Sequence, residues 1–140
     1  MRYSAPPGYE DEAAEAVAVW TSHSGLRAEP GGHDVDILLA PLLPPVYYEG
    51  QSAQAWVQSE GGIVRHCEVR LDPAYWPAYE RQWRVNILAH ELGHCLGIDH
   101  SDQPGIMMLP QVYGFSEDDG QAARAVAPMP YRATVGGVSR

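Results

Sequence analysis

The chain has 140 residues, 45% of them apolar, which suffices for the core of one compact domain and argues against wholesale disorder. Its formal charge of −9 provides no basic footprint for phosphates and is repelled by an anionic surface, so neither nucleic acid nor a membrane is an expected partner. No apolar run reaches bilayer length and the opening residues Met1 to Pro7 lack a signal-peptide stretch, so either no classical leader is used or one lies outside this sequence; the compartment stays open.

In chain order, Tyr9 to about Thr21 predicts an amphipathic helix, with acids in its first turn and apolar positions at Ala13, Val17 and Trp20. Glu29-Pro30-Gly31-Gly32 reads as a turn, and Val35 to Leu39 as a strand. A Pro/Gly-rich loop is expected from Pro41 to about Gly62. Ile63 to Leu71 then alternates as a strand, with Ile63, Arg65, Cys67, Val69 and Leu71 expected on the core side.

Asp72-Pro73 breaks that strand. A second helix is predicted from about Tyr79 to Leu96, with Val85, Leu88, Ala89, Leu92, Cys95 and Leu96 along one side. Gly97 stands where a left-handed residue ends such a helix. A turn-rich stretch from Ser101 to Gly114 precedes a last helix opened by Ser116-Glu117-Asp118-Asp119, and the tail after Pro128 is Pro/Gly-rich. The two cysteines, Cys67 and Cys95, either pair as a disulfide or sit as buried free thiols.

The segment that carries chemistry is His90-Glu91-Leu92-Gly93-His94-Cys95-Leu96-Gly97-Ile98-Asp99-His100. Positions four apart on a helix share one face, about 6 Å apart along the axis, so His90 and His94 can converge on one ion. A third ligand from the same straight helix has poor geometry; Gly97 permits a bend that returns His100 to the metal. Three imidazoles leave one zinc position open for water, as in catalytic rather than structural sites. Glu91 points about 100° away from His90 around the helix and is placed to act as general base on that water. The bare HExxH is a moderate signal that a surface His pair can imitate; the extended pattern, with its fixed Gly and third His, is specific.

HELGHCLGIDH resembles the metzincin pattern HExxHxxGxxH, and the Ser101 that follows, with Ile106-Met107-Met108-Leu109-Pro110, resembles the matrixin form. The resemblance runs well from about Ile63 to Ala125 and loosely through the first helix and strand. It implies an α+β, metzincin-like fold: a small twisted mixed sheet packed on an N-terminal helix and a long active-site helix, then a short C-terminal subdomain with a Met-turn and a last helix. Residues 1–140 are then one catalytic domain, with about 1–97 as the upper subdomain and 98–140, including the tail, as the lower. It also implies Met108 as the Met-turn methionine, with Met107 as the competing candidate, and Pro110 to Tyr113, in particular Pro110 and Tyr113, as a wall of the substrate pocket. An apolar side chain just after the scissile bond and an extended substrate along an edge strand follow from the same likeness.

The chain departs from the vertebrate matrixins too. Their second, structural zinc and their calcium sites have little to bind here: that region offers only His66, with His23 and His33 further back. One zinc ion is therefore expected, and those three histidines are assigned surface or core roles. The family's inhibitory cysteine propeptide has no counterpart, no Tyr stands two residues beyond Met108, and the N-terminal strand is truncated. The expectation is a monomeric zinc endopeptidase acting on proteins or peptides. A structural or peptide-binding module of the same fold and a zinc amidase on non-protein amides are the alternatives.

Overall fold

A computed structural model describes residues 1–22, 24–46 and 51–98. Within them five strands and two helices form an α+β unit: β1 (Arg2–Ser4), α1 (Glu10–Thr21), β2 (Glu29–Pro30), β3 (Val35–Leu39), β4 (Ala53–Glu60), β5 (Ile63–Leu71) and α2 (Arg81–Cys95). The sheet order is β2-β1-β3-β5-β4. The first four strands in that order run parallel, and β4 pairs antiparallel with β5 at the other end. This is the mixed sheet with an N-terminal helix and a second, longer helix that the resemblance implies.

The register puts one apolar row after another on the helix side. Val35, Cys67 and Val57 stand opposite one another, as do Ile37, Val69 and Ala55, and then Leu71 and Ala53. Ala13, Ala16, Val17 and Trp20 of α1 and Val85, Leu88, Ala89, Leu92, Cys95 and Leu96 of α2 close over them in one core. Period two in the strands and period 3.6 in the helices therefore meet on a single layer.

Four departures from the sequence expectations have local physical causes. The stretch read as loop up to Gly62 contains the eight-residue strand β4. Its inward residues include the small Ala53 and Ala55, and Gln54 is a wholly buried polar group, so its pattern looks weakly apolar although every role is filled. Gly61 and Gly62, both at positive φ (60° and 78°), make the two-residue turn joining it to β5, a shape that residues without Cβ adopt without strain. β1 and β2 are likewise strands, the first too short for any periodicity and the second a two-residue edge piece on which Pro30 is tolerated.

The expected inward face of β5 holds only in part. Cys67, Val69 and Leu71 are buried, yet Arg65 is exposed and Val64 takes the inner position. A bulge is the reason: Ser59 pairs with Val64 and Gln58 with His66, so Arg65 is an extra residue and the alternation slips by one. At the start of α2, Trp76–Ala78 form a separate 3₁₀ turn and Tyr79 is extended, so the helix begins at Arg81 rather than near Tyr79.

Cys67 and Cys95 are joined by a disulfide, which settles the choice between pairing and free thiols. It ties the middle of β5 to the last turn of α2 across a sequence separation of 28, and closing a loop of that size contributes about 3–4 kcal/mol in the chain-entropy view. No helix of the described residues is long and apolar enough to cross a membrane.

Candidate metal centre

α2 is held from one side by α1. Arg84 lies between them, its guanidinium bonded to both carboxylate oxygens of the buried Glu12 and to the Tyr79 carbonyl, and placed 5.6 Å from the Tyr9 ring centre. The bonds it donates to Glu12, opposed by burial, raise the Arg84 pKa above its ordinary value. Arg81 makes a single contact with Glu15 at the exposed start of the interface. Near the other end of α1, the Trp20 Nε1–H donates to the carbonyl of Ala89 at 2.7 Å.

These contacts support a helix that is buried on more than one side. Its apolar stripe, centred on Leu88 and Leu92, faces the sheet. At 100° per residue His90 and His94 fall roughly opposite that stripe, and Glu91 falls between. All three are nonetheless buried, at 3%, 2% and 4% exposure for His90, His94 and Glu91, which is far below what a surface His pair would show. The two imidazoles are neighbours: their ring centres stand 4.8 Å apart at an interplanar angle of 89°.

The end of the helix completes the arrangement. Gly97 has φ 83°, the left-handed conformation expected of it. The Gly97 amide donates to the His94 carbonyl (2.8 Å) and the Ile98 amide to the Gly93 carbonyl (3.1 Å), the two bonds of a Schellman turn. That turn folds the Ile98 carbonyl back over the helix, where it accepts a bond of 2.8 Å from His94 Nδ1. A carbonyl only accepts, so Nδ1 carries the proton and the lone pair belongs to Nε2. A ring fixed in this tautomer by an outer acceptor is the form in which histidine binds a metal.

The donor set therefore fits zinc at the two positions described: neutral imidazoles one helical turn apart, one with its tautomer set and both withdrawn from solvent. His100, Met108, Pro110 and Tyr113 lie outside the described residues, as do Met107, the last helix, the tail and His23. Among the described residues no three His, Cys, Asp or Glu side chains gather around one point. His33 and His66 are elsewhere, on the sheet face away from the helices, around Asp36.

Two contributors are absent from the sequence reading. The Ile98 carbonyl is a main-chain group, and Gly97 at the helix end was the signal that could have pointed to it. Trp20 was read only as an apolar position of α1. The edge strand β4 lies in the stretch expected as loop, and Gly61-Gly62 is the signal that could have pointed to it.

No curated protein matches the chain. The matrixin family profile matches residues 47–125, a span that begins just before β4, takes in β5 and α2, and extends past Met108. With more than half of its length matched, the chain belongs to the matrixin family, a family of zinc metalloendopeptidases.

Proposed function

We propose that the chain is itself a zinc-dependent endopeptidase hydrolysing peptide bonds of proteins or peptides. The observation that carries this reading is the HELGH segment on a buried helix, closed by the Gly97 turn that fixes the His94 tautomer. His90, His94 and His100 would hold one zinc ion. When bound there, zinc supplies Lewis acidity, lowering the pKa of water toward about 7 and polarising a peptide carbonyl.

The rest of the chemistry belongs to the chain. Glu91 shares its helix turn with the ligands, turned about 100° from His90. From there its carboxylate accepts the proton of the attacking water and hands it to the leaving amine. Its burial beside the ligand pair keeps bulk water from competing for that proton. Met108 would form an apolar floor beneath the ligands, and Pro110 and Tyr113 part of the pocket wall.

β4 ends the sheet among the described residues, so its outer edge offers main-chain donors and acceptors to an extended peptide. Strand addition there supplies affinity independent of sequence, leaving selectivity to the pocket. α2 packs against this same strand, which brings the scissile bond and the catalytic helix together.

The test is cleavage of casein and of a mixed peptide library by metal-analysed protein, beside Glu91→Ala and a chelated sample. The wild type should carry one zinc and cut; Glu91→Ala should keep its zinc and lose about 10²- to 10⁴-fold in rate. A one-zinc wild type that cuts nothing would turn the reading to a peptide-binding module.

A further inference from the structure

We propose that Trp20 is a positioning residue for the metal-ligand pair, acting through the peptide carbonyl that immediately precedes His90; this rests on the reading of His90 and His94 as zinc ligands. The Trp20 side chain is 1% exposed, and its indole N–H reaches 69 residues along the chain to Ala89, whose carbonyl it meets at 2.7 Å. In an α-helix that carbonyl also faces the amide of Gly93, so the indole adds a second donor to the turn between the two histidines.

Other ties on α2 lie toward its two ends. Arg81 and Arg84 grip Glu15 and Glu12 nine and six residues before His90, at the far end of α2. The Cys67–Cys95 disulfide and the Schellman turn fix the helix after His94. Between these anchors Leu88, Ala89 and Leu92 belong to the apolar core, and apolar contacts resist separation far better than rotation.

Rotation matters for a metal. Side-chain tips lie about 5–6 Å from a helix axis, so turning the helix by about 10° displaces a ligand atom by about 1 Å. A metal–ligand bond accepts about 0.2 Å. His90 and His94 ride on the same helix, so a rotation carries both away from any ligand contributed by another segment. The Trp20 bond holds a point on the helix circumference within one residue of His90, which is where a rotational stop is most effective.

The experiment compares wild type with three variants as full chains. The first replaces the Trp20 indole by its benzothienyl analogue, which keeps the fused ring but has no N–H, and the second is Trp20→Phe. The third is Val17→Ala, which removes core packing from the same face of α1 without touching the hydrogen bond. Zinc affinity is read by chelator competition, and ligand geometry by the visible spectrum of the cobalt(II)-substituted protein.

Loss of the N–H should weaken zinc binding about tenfold, the scale of an outer-shell hydrogen bond. It should also move the cobalt band, while Val17→Ala lowers the melting temperature and leaves the band in place. Equal spectra and affinities in the benzothienyl protein and wild type would overturn the proposal, as would a band shift in Val17→Ala matching that of the analogue. A wild type that takes up neither zinc nor cobalt would instead overturn the ligand reading itself and the proposal with it.

Discussion

Along β5 successive side chains enter two different environments. Cys67, Val69 and Leu71 join the core beneath the helices, where contacts are apolar and one covalent bond fixes α2. His66, Glu68 and Arg70 enter a polar layer on the opposite face. There Arg70 pairs with Glu68 and bonds the Pro41 carbonyl, and the buried Gln54 on β4 serves Leu43 as a strand would, accepting from its amide and donating to its carbonyl. The helix side therefore sets the depth of the histidine-bearing helix. The other side fastens the chain that leaves β3 to the back of the sheet. Non-directional packing answers to volume, whereas a hydrogen-bonded clasp answers to the loss of any one partner.

If that division is right, a cavity on the helix side should be felt furthest. Leu88 is 1% exposed and lies two residues before His90. Leu88→Ala should cost about 2–5 kcal/mol in urea unfolding and weaken zinc retention as well. A loss below about 1 kcal/mol would mean that the helix is not held by this face. On the polar face, Gln54→Ala removes the side chain that bonds the amide and carbonyl of Leu43 and accepts from the indole N–H of Trp56. The expected cost is about 1–3 kcal/mol, with faster amide exchange at Leu43 and unchanged exchange in α2. Exchange that quickens equally in both places would merge the two faces into one cooperative unit.

The same division explains what the sequence made legible. Elements packed on the core announce themselves by period: β3 and β5 have the bounds their alternation predicts, and the buried stripes of α1 and α2 are those read from Ala13 to Trp20 and from Val85 to Leu96. β4 did not, because its buried residues include Gln54, a polar side chain made buriable by its bonds to Leu43 on the segment after β3. Pattern reading registers such a residue as solvent-facing. The bulge at Arg65 was hidden for a related reason, since an inserted residue is visible only against its partner strand. The disulfide needed the 5.5 Å separation of two Cα atoms that no spacing along the chain reports. For the candidate site, the side chains were evident from HELGH, while the groups that orient them are a main-chain carbonyl at Ile98 and an indole 69 residues away.

The smallest effect belongs to the titrating corner of the polar face and sharpens the contrast by its pH dependence. Burial alone would raise the pKa of Asp36, yet bonds donated by His33 and Ser4, and the charges of His33 and His66, outweigh it and hold the carboxyl below its ordinary value of 3.8. A depressed folded-state pKa contributes stability that is present above the unfolded value and fades as pH falls through the folded one. Asp36→Asn removes that contribution, so the variant should be less stable than wild type at pH 6 by no more than about 1 kcal/mol, since the group is partly exposed. The gap should close between about pH 4 and pH 2, and urea titrations at each pH would follow it. A gap that stays constant down to pH 2 would show that Asp36 acts by shape and hydrogen bonding rather than charge. The polar face would then resemble the helix side, an assembly of fitted contacts with no electrostatic character of its own.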